Sequence, residues 1–206
     1  LAGGLYGRWQ HQNLWLNGQV YYANLDVDSH RRVQLGAAER IHHGSADGDQ
    51  YGGKISAGMN WQQGKITHGP VLSLSAQKAT VKSLREQGKL STAMSFDEQE
   101  HTSIQSGLGY QAQWAVNDAW QVYGSAQWQH EFKDVDDVVG ARLNSVDDMH
   151  FVLPVNTGDA KNSGVLELGV NGNISEHWQV GAGVLAEVGD APNAQTSVFV
   201  NTSYRF

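Results

Sequence analysis

The chain contains no cysteine among its 206 residues, which excludes a disulfide framework and any thiolate-bound metal. Proline is almost missing, with 3 residues against 24 glycines and 7 tryptophans, so neither a disordered tail nor a collagen-like rod fits. Basic residues are scarce: 14 Lys and Arg stand against 21 Asp and Glu, for a formal net charge of −7. The broad cationic face that would neutralise a phosphate backbone is therefore lacking, and nucleic acid is excluded as a partner. Also missing is any apolar run near the roughly 18 to 20 residues that a membrane-spanning helix requires. That absence leaves a membrane barrel open. Only alternate residues of a barrel strand face lipid, so a mean hydropathy of −0.45 is compatible with one.

What the sequence does have is strict alternation. Val180, Ala182, Val184, Ala186 and Val188 alternate with Gln179, Gly181, Gly183, Leu185 and Glu187. Leu166, Leu168, Val170 and Ile174 alternate with Glu167, Gly169, Asn171 and Asn173. The same period of two runs through Ile104 to Trp114, Trp120 to Trp128, Ile55 to Trp61 and Leu16 to Tyr22. It continues in the last segment, where Phe199 alone breaks the parity. This is a strand signature throughout, and the fold class it predicts is all-β.

The polar parity is mostly Gln, Asn, Ser and Gly with isolated charges, where a soluble sheet would expose Lys, Glu and Arg. Such a face suits a wet lumen. The expected lumen-facing set is Arg8, Lys54, Gln105, Gln111, Gln127, Glu131, Glu167, Asn171, Glu187 and Arg205. Short connections at 11–13, 64–68, 116–119 and 175–177 alternate with long polar ones at 26–50, 77–101, 133–163 and 189–196. One rim of tight turns and one of long loops is the plan of outer-membrane barrels, with turns periplasmic and loops extracellular. Trp9, Trp61, Trp114, Trp120 and Trp178 all adjoin short turns, with Trp15 slightly deeper. Together with Tyr204 and Phe206 they are expected to form a lipid-facing aromatic girdle at the headgroup level. The rival, a soluble ligand-binding barrel plugged by aromatics, would stay in solution without detergent.

About nine strands are expected, near 3–10, 14–26, 51–62, 69–82, 93–114, 119–133, 164–174, 178–188 and 197–206. An odd antiparallel set cannot close on itself. Residues 1–206 are thus expected to be one barrel domain, N-terminally truncated, with upstream strands absent.

The ending Val198-Phe199-Val200-Asn201-Thr202-Ser203-Tyr204-Arg205-Phe206 resembles the signal read by the barrel-assembly machinery of Gram-negative bacteria, with Val200, Thr202, Tyr204 and Phe206 as its alternate positions. More specific are the stretch from Asp26-Val27-Asp28-Ser29-His30-Arg31-Arg32 through Gly36 and Glu39-Arg40 to Gly44 and Asp47-Gly48-Asp49-Gln50, the segment Lys82-Ser83-Leu84-Arg85-Glu86-Gln87-Gly88, and Phe96-Asp97-Glu98-Gln99-Glu100. With these, the chain from about Leu5 to Phe206 resembles the C-terminal translocator of autotransporter esterases of the Gly-Asp-Ser-Leu lipase family, least so over 133–163. The resemblance implies a twelve-stranded antiparallel transmembrane β-barrel, of which about nine strands are visible here. It further implies a lumenal linker helix, an extracellular esterase passenger, outer-membrane lipid as surroundings, and type V secretion as the process.

No catalysis is expected of the chain itself. It has no Gly-Asp-Ser-Leu, no Gly-x-Ser-x-Gly elbow and no Ser, His and Asp set in a nucleophile context. A barrel lipase would need a nucleophile beside His130, the single histidine in a suitable setting. His42-His43 with Asp47 and Asp49, and Asp134, Asp136, Asp137, Asp147 and Asp148, lack the spacing of a metal or calcium site, so no cofactor is expected. Two further alternatives stay open. One is a barrel substrate captured on the assembly machinery through an unpaired edge, and the other is a small passive porin.

Overall fold

The structure, a computed structural model, describes residues 1–88, 90–133, 138–146, 149–154, 161–189 and 195–204. Its regular elements are all strands in one sheet. Nine run the length of the wall: β1 (Ala2–His11), β2 (Leu14–Leu35), β3 (Ala38–Met59) with its short continuation β4 (Trp61–Gln63), β5 (Ile66–Val81), β8 (Gln99–Ala115), β9 (Trp120–Glu131), β12 (Asn162–Asn173), β13 (Trp178–Gly189) and β14 (Gln195–Tyr204). Each pairs antiparallel with its successor in this series. The outer edges of β1 and β14 carry no strand among the described residues.

Register partners of antiparallel strands project to the same side, so the sequence alternation becomes continuous rows. One row reads Leu16, Ala57, Leu72, Leu108, Trp128, Gly164 and Val188. Another reads Ile66, Trp114, Val122, Val170, Ala182 and Val200. The interleaved rows on the other side are polar, for example Arg8, Asn17, Ser56, Ser73, Gly107, Gln129 and Ser163. The apolar side is the open one, with Leu72 58%, Leu168 69% and Val200 79% exposed. A contiguous apolar surface this large marks a face that meets another apolar medium or partner.

The long connections are corrected by the structure: three of the four contain strands. Residues 26–50 are not a loop but the upper half of a hairpin of two 22-residue strands, β2 and β3, turning at Gly36 with φ of 63°, a left-handed conformation that glycine adopts without strain. The connections 77–101 and 133–163 hold β6 (Leu84–Glu86), β7 (Met94–Phe96), β10 (Val138–Leu143) and β11 (His150–Pro154). These extend sideways from the β3 hairpin in the order β3, β6, β7, β10, β11. They form a cap whose small core contains Ala46, Leu84, Ala93, Met94 and Ala141.

The hairpin also records a change of surroundings. Up to Tyr22 and Tyr51 the exposed parity of β2 and β3 is apolar, carrying Leu14, Leu16, Val20, Tyr22, Tyr51 and Ile55. Beyond that level the same parity carries Asn24, Asp26, Asp28, His30 and Arg32, while Ala23, Leu25 and Val27 move to the covered side. The pleat never breaks. What changes is which parity carries the apolar residues, and that is why a polar composition in this region does not mean a loop.

Aromatic residues on the polar side are explained by what stands opposite them. Trp15, Tyr123 and Phe199 have Gly58, Gly169 and Gly183 as register partners. A Cβ at any of these glycines would run into the ring of its partner. The missing side chain is the space in which the ring lies. Trp15 is thereby corrected from the girdle to the polar face: it is 7% exposed and donates its indole N–H to Asn60 Oδ1 at 3.2 Å.

Candidate functional site

The residues expected to face a lumen take the following register positions in the sheet. Lys54 stands between Gln19 and Ser75, Gln105 between Ser75 and Glu131, Gln111 between Gly69 and Ser125, and Gln127 between Gly109 and Val165. Glu167 stands between Ser125 and Leu185, Asn171 between Gln121 and Gly181, and Glu187 between Val165 and Gln195. Arg8 lies opposite Asn17; Arg205 and Phe206 lie outside the described residues. Arg8, Asn60, Gln111, Tyr123, Gln127 and Glu167 line a recess of about 330 Å³. Its amide and hydroxyl groups present both donors and acceptors, with Arg8 and Glu167 offering one charge of each sign. Glu131 is already engaged. Its carboxylate accepts from Ser103 Oγ at 2.5 Å and from the Ile104 and Lys133 N–H groups at 2.8 Å.

On the apolar face Trp9, Trp61, Trp114, Trp120, Trp178 and Tyr204 are all at least 39% exposed, at the strand ends nearest the short turns. Trp61 meets His68 edge to face and Trp178 meets Tyr204 likewise. In β14, Val200, Thr202 and Tyr204 pair with Ala182, Val180 and Trp178 on this face. From Ile66 to Ala76 the apolar face of β5 carries no Asp, Glu, Lys or Arg, and Lys78, paired with Glu100 at 2.7 Å, ends the band. That span matches the ~9–11 residues of a tilted transmembrane strand.

The family profile described as Autotransporter beta-domain matches residues 1–184. The chain belongs to this autotransporter family. Over 204 residues it is 28% identical to Lipase 1 of Photorhabdus luminescens, covering 97% of this chain and 31% of that protein. It is 24% identical over 150 residues to Esterase EstA of Pseudomonas aeruginosa, covering 71% of this chain and 23% of that protein. The chain thus spans less than a third of the length of these relatives. Among solved structures, the translocator domain of NalP from Neisseria meningitidis matches the whole chain with a TM-score of 0.75 at 14% identity, over 67% of its own length. The transport unit of AIDA-I from Escherichia coli also matches the whole chain, with a TM-score of 0.52 at 20% identity, over 65% of its length. The sheet is therefore the wall of an antiparallel translocator barrel, and an autotransporter β-domain of this kind is an outer-membrane export unit for its own passenger.

The cap of this autotransporter β-domain holds an ionic cluster that sequence reasoning did not single out. The Arg31 guanidinium grips both Glu86 oxygens at 2.7 and 2.6 Å and donates to the Thr92 carbonyl at 2.7 Å. Met94 N–H adds a third bond to Glu86 at 2.7 Å. Burial pushes the Glu86 carboxyl upward, but the Arg31 fork, the Met94 N–H, the Arg31 charge and nearby His42 outweigh it and hold the group below the ordinary carboxylate range. His42, 1% exposed, meets Thr92 Oγ1 at 2.9 Å, and its Nδ1 stands 3.8 Å from Glu86. A signal was present in the odd parity of Arg31 on β2, a charge on the side where Leu25 and Val27 are covered.

The other tempting motifs come apart in space. Alternation sends His42 to the covered side and leaves His43 on the exposed side with Asp47 and Asp49, so the set is split, and among the described residues no three His, Cys, Asp or Glu side chains gather as a metal site. His130 meets Asn162 Oδ1 at 3.0 Å, and its ring packs by Trp128 and Phe132, the setting of an interfacial ring. The five-aspartate candidate, Asp134, Asp136, Asp137, Asp147 and Asp148, lies outside the described residues.

Proposed function

We propose that this β-domain carries an upstream esterase passenger to the surface of a Gram-negative cell, with the cap and long hairpins extracellular and the short turns periplasmic. The observation that carries the orientation is the parity inversion above Tyr22 and Tyr51, which makes the long-hairpin rim a tall water-exposed structure, whereas the Trp-lined rim ends at the headgroups. The esterase assignment is supported by the similarity to Lipase 1 and Esterase EstA and by how little of their length this chain spans.

In this reading the Trp and Tyr girdle anchors the barrel in outer-membrane lipid, and the polar face lines a hydrated lumen. Arg8, Glu167 and the amides around them hold the passenger's linker helix. Upstream strands of the same polypeptide close the wall between the free edges of β1 and β14. The terminal strand, through Val200, Thr202, Tyr204 and Phe206, is the segment handed to the barrel-assembly machinery. The chain's own work is translocation; hydrolysis belongs to the passenger. The test is expression of the complete gene product in a Gram-negative host. Expected are outer-membrane fractionation, heat-modifiable gel migration, and cleavage within 82–98 or 133–163 by protease added to intact cells. Protection of those segments together with cleavage at 116–119 would overturn the orientation.

The same free edges favour one second reading, a barrel held on the assembly machine through its open wall. Cross-linking of β1 to a machine subunit in cells, with no cross-link between β1 and upstream strands, would favour it.

A further inference from the structure

On the exposed side of the long hairpin, above the level of Tyr22 and Tyr51, His30 and His43 are register partners. Their rings meet edge to face, with centroids 4.7 Å apart at 75°. The two Nδ1 atoms are 2.8 Å apart. Two neutral imidazoles can sit so only if one Nδ1 carries a proton and the other offers its lone pair to it. A metal takes the place of that proton when the rings turn so that both lone pairs converge on it, and the register of β2 and β3 already holds the two residues side by side.

The ligand type decides between metals, because at imidazole nitrogens the affinity of divalent first-row ions peaks at copper(II), above nickel(II) and zinc(II). With metal–nitrogen bonds of about 2.05 Å, two ligands at a right angle stand about 2.9 Å apart, whereas tetrahedral ligands stand about 3.3 Å apart. At 2.8 Å the two nitrogens stand at hydrogen-bond distance, and turning both lone pairs onto one ion at a right angle changes that separation by only about 0.1 Å. Among the described residues no cluster of three or more His, Cys, Asp or Glu forms a closed cage, so water or an external ligand completes the coordination. The surroundings favour a cation. Asp28 lies one row nearer the membrane on the same face and Asp26 faces Asp47 beyond it, while Arg32, one row above, is drawn to Glu39 at 3.7 Å.

We propose that His30 and His43 form a two-nitrogen chelate for a divalent transition-metal ion of tetragonal preference, copper(II) foremost, on the water-exposed hairpin of the barrel. The metal would tie the two longest strands together across the exposed face. The site differs from the His42 and His43 pair adjacent in sequence, because His42 is committed to Thr92 on the opposite side.

The test uses the complete, untagged protein in detergent micelles, titrated with copper(II) and zinc(II) and examined by electron paramagnetic resonance of the copper form. Expected are one equivalent of copper bound, hyperfine structure from two ring nitrogens, zinc at least tenfold weaker, and at least a tenfold loss of copper affinity in His30→Asn and in His43→Asn. His11→Asn, at the opposite rim, should bind as the parent does. Copper spectra of the parent with one or no nitrogen ligand would overturn the proposal without recourse to any variant. So would a His30→Asn/His43→Asn double variant that keeps its heat-modifiable migration and binds copper unchanged.

Discussion

Arginine scanning across the two faces of β9 and β12 tests the sidedness from which the function follows. Leu168 lies in the row of Gly124, Val184 and Val198, four residues along β12 from Gly172, whose partner Trp120 marks the girdle. At about 3.3 Å per residue that is ~13 Å of strand. A tilt of about 40° brings it to ~10 Å of depth, close to the middle of an apolar band about 25 Å tall. Leu168→Arg should therefore meet nearly the full midplane penalty, about 2–4 kcal/mol. Val122→Arg, two residues from Trp120, sits only ~5 Å deep and should cost about 1 kcal/mol. Ser125→Arg faces the lumen opposite Glu167 and should be near neutral. The complete translocator, folded into phospholipid vesicles and unfolded with guanidinium under tryptophan fluorescence, gives the comparison directly. The expected gap between Leu168→Arg and Ser125→Arg is about 30- to 900-fold in the unfolding constant, at about 1.36 kcal/mol per decade. A Ser125→Arg penalty equal to or larger than that of Leu168→Arg would mean that the faces are assigned backwards.

Three further outcomes are expected. Glu86→Gln leaves the Arg31 fork without its anion and should destabilise the cap by about 3 kcal/mol, read as earlier protease cleavage within 82–98 while the barrel retains its heat-modifiable shift. Because the Glu86 carboxyl is held below its ordinary value, its contribution is present above the unfolded carboxylate pKa and disappears as pH falls through the folded one; cap protection should decline on acidification below about pH 4, and Glu86→Gln should flatten that dependence. Gly183→Val puts a side chain where the Phe199 ring lies, and should slow folding into vesicles by detaching β14, whereas Gly183→Val with Phe199→Ala should recover part of the loss; equal defects in the two would remove the ring from the argument.

The period of two, the Trp positions and the alternation of short and long connections were enough to define a nine-strand antiparallel wall with one greasy and one hydrophilic face. These properties depend only on neighbours along the chain, since a strand's pleat turns sequence parity directly into sidedness. Even the exception, Phe199, was visible as an aromatic on the wrong parity. Other features depend on which residue lies across the sheet, and local sequence does not encode that. Register brought Gly183 under Phe199, sent Trp15 inward over Gly58, and set His30 against His43 rather than joining His43 to its neighbour His42. The upper hairpin was hidden for a related reason. Its alternation of Leu25 and Val27 with Asp26 and Asp28 is as regular as that below, but reversed, and in the proposed orientation the meaning of parity changes where lipid gives way to water. The cap cluster of Arg31, Glu86 and Thr92 joins segments more than fifty residues apart, and only the folded sheet could bring together charges that each alone would have been costly to bury.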